Sequence, residues 1–406
     1  MHEAFLAVGV GAVETASFGS FSVVLDEYGI ADKTMSLNER AARLAREVAD
    51  DFESDGRPRY VAGSMGPGTK LEPGPHRFTD LTEAYEEQAV GLLRGGVDLF
   101  LIETCQDLLQ VKAAMIACRR AMRREGVSVP LQVQVSMETT GRMLMGSEIG
   151  AVVSSLQAMR PDLLGINCST GPSEMQEHLR YLSQHATMPL SVLPNAGMPS
   201  IVDGKTHYDL TPEELAQFHR HHVQDLGVGV VGGCCGTTPE HLKAVVDAVR
   251  GLEPARRTPE FEPSVTSIYS PVTIEQDKSF LIIGERTNAN GSKAFRDAML
   301  AGDLDSCTKM ATDQIREGAH VLDVCVDYVG RDGTTDMDEI AARFATQASV
   351  PLVLDSTEPQ VMEAGLRHRQ AGDPQLGQPG GRRAAGLRLD RVFSPARSTA
   401  RPSSAS

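Results

Sequence analysis

The sequence contains no tryptophan, and aromatic residues make up only 5% of its 406 residues. It also lacks an excess of positive charge. Because the formal net charge is -15 at pH 7, nucleic acids and anionic membrane surfaces are poor partners for this chain. The apolar run from Phe5 to Val13 is too short to cross a bilayer and has no basic flank. We interpret this run as a buried strand and expect no association with membranes.

A disulfide framework is a further feature that the sequence does not show. Seven cysteines, an odd number, are spread over a long chain, whereas disulfide scaffolds are small and rich in cysteine. The adjacent pair Cys234 and Cys235 is also poorly placed to form a bond, given the Cβ geometry that a disulfide requires. We therefore expect free thiols and a cytoplasmic protein.

Short apolar runs alternate with helical patterns from residue 5 to about residue 250, which predicts an α/β fold. Most of these runs are continuously apolar, as in parallel strands that are covered on both faces. The predicted strands are Leu6–Val13, Arg59–Ser64, Val97–Glu103, Leu131–Met137, Leu163–Asn167, Leu190–Leu193 and Val228–Val231. A TIM-type (β/α)8 barrel needs one strand more. We expect residues 1–252 to form such a barrel, with its first strand missing before Met1.

Four prolines then interrupt the pattern and predict a linker over residues 253–278. A second domain is expected over residues 279–368, with strands Phe280–Ile283, Val321–Val324 and Leu352–Leu354. Because a complete barrel needs roughly 200 residues or more, we expect an incomplete second (β/α) barrel. Residues 369–406 are rich in Gly, Pro, Arg and Ser, and we interpret them as a disordered or non-native tail. We thus expect a chain that is truncated at both ends.

Three cysteines stand at the carboxyl ends of predicted strands. Cys234 and Cys235 lie between glycines after Val228–Val231, and Cys168 follows Leu163–Asn167. Zinc is the natural metal for thiolates, and three protein ligands with one open position are typical of a catalytic zinc site. Because zinc–sulfur bonds are about 2.3 Å long, the three sulfurs should lie roughly 3.5 to 4 Å apart. The remaining cysteines are interpreted as small buried residues: Cys105, Cys118, Cys307 and Cys325.

A histidine cluster also suggests a metal, but we favour a simpler interpretation. His219, His221 and His222 lie on one predicted helix, without a carboxylate or cysteine at matching spacing. We therefore predict a solvated helix face.

The cysteine motifs Gly165–Cys168 and Gly232–His241 resemble the homocysteine S-methyltransferase family. The segments Val61–Pro67, Asp98–Thr104 and Pro194–Gly197 match the family as well, and the resemblance covers about residues 5 to 250. It implies a barrel in which zinc, held by Cys168, Cys234 and Cys235, activates homocysteine as a thiolate that accepts a methyl group to give methionine. It also implies that Glu103 holds the amino-acid end of homocysteine. The family's Asp-Gly-rich first strand has no match here, since Val13–Gly19 resembles the second strand.

The second domain places polar residues at three successive strand ends. A carboxylate there would suit the amidine edge of a pterin, and either Asp323 or Asp355 could supply it. The motif Gly284–Asn288 resembles the pterin-binding domain of cobalamin-dependent methionine synthases, which also follows a homocysteine barrel. The resemblance implies methyltetrahydrofolate as the methyl donor and a pterin site comprising Glu285, Asn288, Asp323 and Asp355.

The sequence contains no Asp-x-His-x-x-Gly cobalamin motif. The expected activity therefore needs cobalamin carried by another domain or chain. Two alternatives stay open: a homocysteine methyltransferase that uses betaine or S-methylmethionine, and a non-catalytic product that only binds zinc or homocysteine. The appended pterin motif argues against the first alternative.

Overall fold

The computed structural model describes residues 1–53, 56–68, 78–202, 204–276 and 280–368. Within these ranges the chain forms two α/β modules connected by an ordered segment. The strands are β1 Ala12–Glu14, β2 Tyr60–Met65, β3 Leu99–Cys105, β4 Leu131–Val135, β5 Leu163–Asn167, β6 Leu190–Leu193, β7 Pro199–Val202, β8 Lys205–Tyr208, β9 Val230–Val231, β10 Ser264–Thr266, β11 Pro271–Thr273, β12 Ile283–Gly284, β13 Val321–Val324 and β14 Leu352–Leu354.

Helices precede, connect and follow these strands. They are α1 His2–Ala7, α2 Ser22–Leu25, α3 Thr34–Phe52, α4 Phe78–Arg94, α5 Leu108–Glu125, α6 Ile149–Met159, α7 Gln176–His185, α8 Pro212–Gln224, α9 Pro239–Val249, α10 Lys293–Leu300, α11 Leu304–Arg316, α12 Gly333–Gln347 and α13 Pro359–Leu366. No helix among the described residues is long and apolar enough to cross a bilayer.

The first module is built on one parallel sheet with the strand order β1-β2-β3-β4-β5-β6-β9. Its strands are apolar along their whole length, as expected for parallel strands that are buried on both faces. Phe100, Val133, Ile166 and Val192 are therefore completely buried. The described residues show no pairing between β1 and β9, so their sheet is an open parallel sheet of seven strands and a closed barrel is not formed by them.

The start of the chain differs from the prediction. The run interpreted as the strand Leu6–Val13 is instead helix α1 followed by the short strand β1. Gly9 separates the two with a φ of +94°, a left-handed conformation that suits glycine. Leu6 is buried where α1 packs against α3. An apolar run of this length does not by itself distinguish a buried helix from a strand. Here the helix is formed, and it packs against α3.

The segment predicted as a linker is ordered and lies against the first module. It contains the antiparallel hairpin β10–β11, which packs on α6. The hydroxyl of Ser147 donates to the carbonyl of Ile268 at 2.5 Å, and the backbone N–H of Glu148 donates to the carbonyl of Tyr269 at 2.8 Å. We call residues 253–276 the strap.

The second module has a parallel three-stranded sheet, β12-β13-β14, covered by helices α10–α13. Its core contains Phe295, Leu322, Ile340 and Phe344. The predicted strand Phe280–Ile283 is shifted toward the carboxyl end, and Phe280 is 89% exposed. The whole tail predicted over residues 369–406, like residues 277–279, lies outside the described residues.

Candidate metal centre and substrate site

The three predicted ligand cysteines meet at the carboxyl edge of the first sheet. The sulfurs of Cys168 and Cys235 are 3.8 Å apart, and the sulfurs of Cys168, Cys234 and Cys235 all lie within 4.8 Å of one another. These separations are close to those that shared zinc–thiolate bonds require. The donor set therefore fits a zinc ion with one position left for a further ligand.

The backbone around each cysteine explains this convergence. Cys168 and Ser169 have φ values of +59° and +58°, a left-handed conformation that turns the chain sharply after β5. The backbone N–H of Cys234 donates to the carbonyl of Pro194 at 2.8 Å. The backbone N–H of Cys235 donates to Oδ1 of Asn195 at 3.1 Å. The loop of the cysteine pair is thus fixed by contacts with Pro194 and Asn195, which follow β6.

The thiols of the cluster are electrostatically coupled. Hydrogen bonds from Cys168 and Cys234 lower the pKa of Cys235, since both neighbours donate to its thiolate. Hydrogen bonds with Cys168 and Cys235 raise the pKa of Cys234. A cation bound between the sulfurs would take the place of these shared protons, because metal binding to thiols releases protons.

Glu103 lies beside the cluster and is buried. Its Oε1 accepts a hydrogen bond from the Ser64 hydroxyl at 2.5 Å, and its Oε2 accepts one from Nδ2 of Asn167 at 3.2 Å. Burial raises the pKa of Glu103, and the nearby Cys235 thiolate raises it further. A buried carboxylate with this arrangement can receive the ammonium group of an amino acid.

Two residues of this pocket were not predicted from the sequence. Asn167 contacts Glu103 and also lies 4.0 Å from the sulfur of Cys234. Glu14 at the end of β1 is exposed to solvent, and the protein atoms around its carboxyl group and the charge of Glu103 raise its pKa. The position of Asn167, directly before Cys168, was the one sequence signal that pointed to it.

The histidine cluster does not form the predicted solvated face. His219 and His222 are completely buried, whereas His221 is partly exposed and paired with Asp225. Nε2 of His219 donates to the carbonyl of Gly232 at 2.7 Å. The interpretation was wrong because α8 packs against α9 and places His219 against Gly232, just after β9. The four cysteines predicted as small buried residues are all buried and free.

The second module brings the predicted pterin-binding residues to one edge of its sheet. Nδ2 of Asn288 donates to Oδ2 of Asp323 at 2.8 Å. Burial raises the pKa of Asp323, and the carboxylates of Asp355 and Glu285 are close enough to raise it further, against the opposing effect of the Asn288 hydrogen bond. All four residues therefore surround the ends of β12, β13 and β14.

A family model for homocysteine S-methyltransferase matches residues 1–249. The chain belongs to the homocysteine S-methyltransferase family. A second family model, for pterin binding enzymes, matches residues 284–373. The three cysteines and Glu103 lie inside the first match, and the four predicted pterin residues lie inside the second.

Curated relatives of this homocysteine S-methyltransferase family member include two methionine synthases. The one from Mycobacterium tuberculosis (strain ATCC 25618 / H37Rv) is 50% identical over 369 residues, which are 91% of this chain and 31% of that protein. The one from Mycobacterium leprae (strain TN) is 49% identical over 374 residues, again 91% of this chain and 31% of that protein. The resemblance to methionine synthases predicted from the motifs is confirmed, and the chain spans about a third of the length of these relatives.

Among solved structures, the metallated form of the homocysteine methyltransferase MmuM from Escherichia coli is 22% identical to the chain. The similarity has a TM-score of 0.49 and covers 60% of this chain and 81% of that one.

Proposed function

We propose that this chain provides the homocysteine-binding and pterin-binding parts of a methionine synthase, in which homocysteine accepts a methyl group to give methionine. The observation that carries the proposal is the convergence of Cys168, Cys234 and Cys235, whose sulfurs lie within 4.8 Å of one another. Three thiolates and one open position suit a zinc ion that receives a substrate thiol. The first module is proposed to be a TIM-type (β/α)8 barrel that lacks one strand, and the second an incomplete (β/α) barrel.

Zinc bound by these cysteines would lower the pKa of the homocysteine thiol, so that the thiolate is present at neutral pH. Glu103 would receive the ammonium group of homocysteine, and the hydrogen bonds from Ser64 and Asn167 fix its two oxygens for that contact. The homocysteine sulfur then forms a bond to the methyl carbon. The bonding electron pair of the broken bond stays with the donor.

The methyl donor is proposed to be cobalamin held by another domain or chain in the cytoplasm. The second module would bind methyltetrahydrofolate, with the pterin ring between the carboxylates of Asp323 and Asp355 and the side chains of Glu285 and Asn288. The support for this assignment is the Asn288–Asp323 hydrogen bond and the proximity of the other two carboxylates. A carboxylate held in this way is a suitable acceptor for the pterin amidine edge.

The zinc content of the purified chain tests the metal site. We expect one zinc ion per chain and release of about one proton when homocysteine is added near neutral pH. Cys168→Ser, Cys234→Ser and Cys235→Ser should each lose the zinc, whereas Cys307→Ala, which changes a buried cysteine of the second module, should keep it. Absence of stoichiometric zinc, or of proton release, would instead support a chain without methyl-transfer activity.

The donor can be identified by isotope transfer. Chain loaded with zinc is mixed with homocysteine and one labelled donor, either methylcobalamin, betaine or S-methylmethionine. Labelled methionine is expected from methylcobalamin alone. Transfer from betaine or S-methylmethionine would show that the alternative methyltransferase is correct.

A further inference from the structure

A short hairpin, β7–β8, projects from the first module between β6 and α8. Its two strands pair antiparallel, and Pro199 stands opposite Tyr208. Most described hairpin residues are exposed, including Ile201 at 73%, whereas Tyr208 is partly buried. A hairpin of this size has no core of its own, so the burial of Tyr208 comes from its contact with the cysteine loop.

The ring of Tyr208 lies directly against Gly236, the residue after the cysteine pair. A Cβ atom placed on Gly236 would come within 2.3 Å of Cγ of Tyr208. Gly236 also has a φ of +79°, so a side chain there would be both strained and blocked. Only glycine therefore allows the ring to approach this closely.

Backbone hydrogen bonds hold the base of the hairpin and the cysteine loop together. The N–H of Ala196 donates to the carbonyl of Cys235 at 2.9 Å, and the N–H of Leu210 donates to the carbonyl of Ala196 at 3.0 Å. The backbone that carries Tyr208 is thus held in place relative to Cys235.

The phenol of Tyr208 lies close enough to the cysteine cluster to interact with all three thiols, and most strongly with that of Cys235. Between a phenol and a thiolate, the phenol O–H is the donor and the sulfur is the acceptor.

We propose that Tyr208 is a positioning residue of the metal centre, whose hydroxyl donates a hydrogen bond to the sulfur of Cys235. The inference rests on the proposed zinc site. Three thiolates carry more negative charge than a divalent cation neutralises, and a hydrogen bond to one sulfur withdraws part of that charge from the metal. Groups that contact metal ligands in this way tune the affinity and electronic properties of the metal, and their loss typically changes metal affinity or activity 10- to 100-fold.

The test uses Co²⁺ in place of zinc, because cobalt bound to thiolates has a sulfur-to-metal charge-transfer band. Tyr208→Phe removes the hydroxyl and keeps the ring over Gly236. Without the hydrogen bond the sulfur is a stronger donor, so the band should move to longer wavelength. Cobalt affinity, measured by competition with a chelator, should change about tenfold. Tyr28→Phe, at an exposed tyrosine far along the chain, is the matched control and should leave the band and the affinity unchanged.

Each result has a separate meaning. A shifted band in Tyr208→Phe, with the same single cobalt per chain, supports the inference. An unchanged band and affinity in Tyr208→Phe would overturn the inference alone. If the unsubstituted chain shows no charge-transfer band with Co²⁺, the proposed metal site is wrong, and the role of Tyr208 is lost with it.

Discussion

Nδ2 of Asn167 donates a hydrogen bond to Oε2 of Glu103 at 3.2 Å. Because Asn167 directly precedes Cys168, this bond connects Glu103 to one of the candidate ligand cysteines. The same side chain accepts a hydrogen bond from the backbone N–H of Thr104 at 2.7 Å through its Oδ1. Asn167 therefore fixes the ends of β3 and β5 relative to each other. The proposed ammonium site and the proposed thiol site are thereby held at a constant separation, as binding of one amino acid at both ends requires.

Glu103→Gln should weaken homocysteine binding without removing the metal. The change keeps the shape of the side chain but replaces a charge-assisted contact with a neutral one, so we expect a loss of about 10- to 100-fold in affinity, from about 1.5–3 kcal/mol. Isothermal titration calorimetry of zinc-loaded protein with homocysteine measures this affinity. Glu3→Gln, at an exposed carboxylate near the start of the chain, is the control. Loss of zinc from Glu103→Gln, or unchanged affinity, would contradict the assignment.

Gly236→Ala should weaken zinc binding in addition to lowering the stability of the fold. The added Cβ would collide with the ring of Tyr208 and displace the loop that carries Cys235. Gly251→Ala is the matched control, because Gly251 has a similar φ of +77° but open space around it. In both variants the free energy of unfolding should fall by about 1–2 kcal/mol, because alanine is strained in the left-handed conformation. Chelator competition should show weakened zinc binding in Gly236→Ala only, and equal zinc binding in the two variants would refute the role of the loop.

Stability should fall as the pH is lowered from about 7 to 4, because two buried histidines resist protonation. Burial lowers the pKa of His219 to about 4 and that of His222 to about 3, below the ordinary value of 6.5. The unfolded chain takes up protons at those histidines below pH 6.5 while the folded chain does not, so the free energy of unfolding decreases as pH falls through this window. Each unit of difference in pKa corresponds to about 1.4 kcal/mol.

The variant His222→Gln removes one of these groups and should make urea midpoints less dependent on pH between 7 and 4. His221→Gln changes the exposed neighbour on the same helix and should keep the pH dependence of the parent. A parent chain whose midpoint is constant over this range would show that the buried histidines do not control stability.

Arg257 attaches the strap to the first module, and its loss should destabilise the fold. Its guanidinium donates to the carbonyl of Ala186, directly after α7, at 2.8 Å and to that of Met188, just before β6. Hydrogen bonds from a charged donor are stronger than neutral ones. Arg257→Ala should therefore lower the free energy of unfolding by about 1–3 kcal/mol. Arg256→Ala removes an exposed neighbouring charge and should change the free energy of unfolding by less than about 0.5 kcal/mol.

Local patterns were enough to predict much of the architecture. Continuous apolar runs placed β5, β6, β13 and β14 at the residues where the structure has them, since a strand buried on both faces must be apolar along its length. The hairpin β7–β8 was missed because its exposed strands lack any apolar pattern. The pair β10–β11 was missed because the prolines around it are typical of a connection.

The sequence by itself determined the thiol site: two adjacent cysteines between glycines and a third after another strand are chemically specific, and parallel strands bring their carboxyl ends to the same edge. Tertiary structure alone decided that His219 and His222 are buried, that Asn167 connects Glu103 to the cysteine loop, and that Tyr208 lies on Gly236. The physical reason is distance along the chain. Contacts of this kind join residues that share no local periodicity, so they exist only once helices and strands have packed.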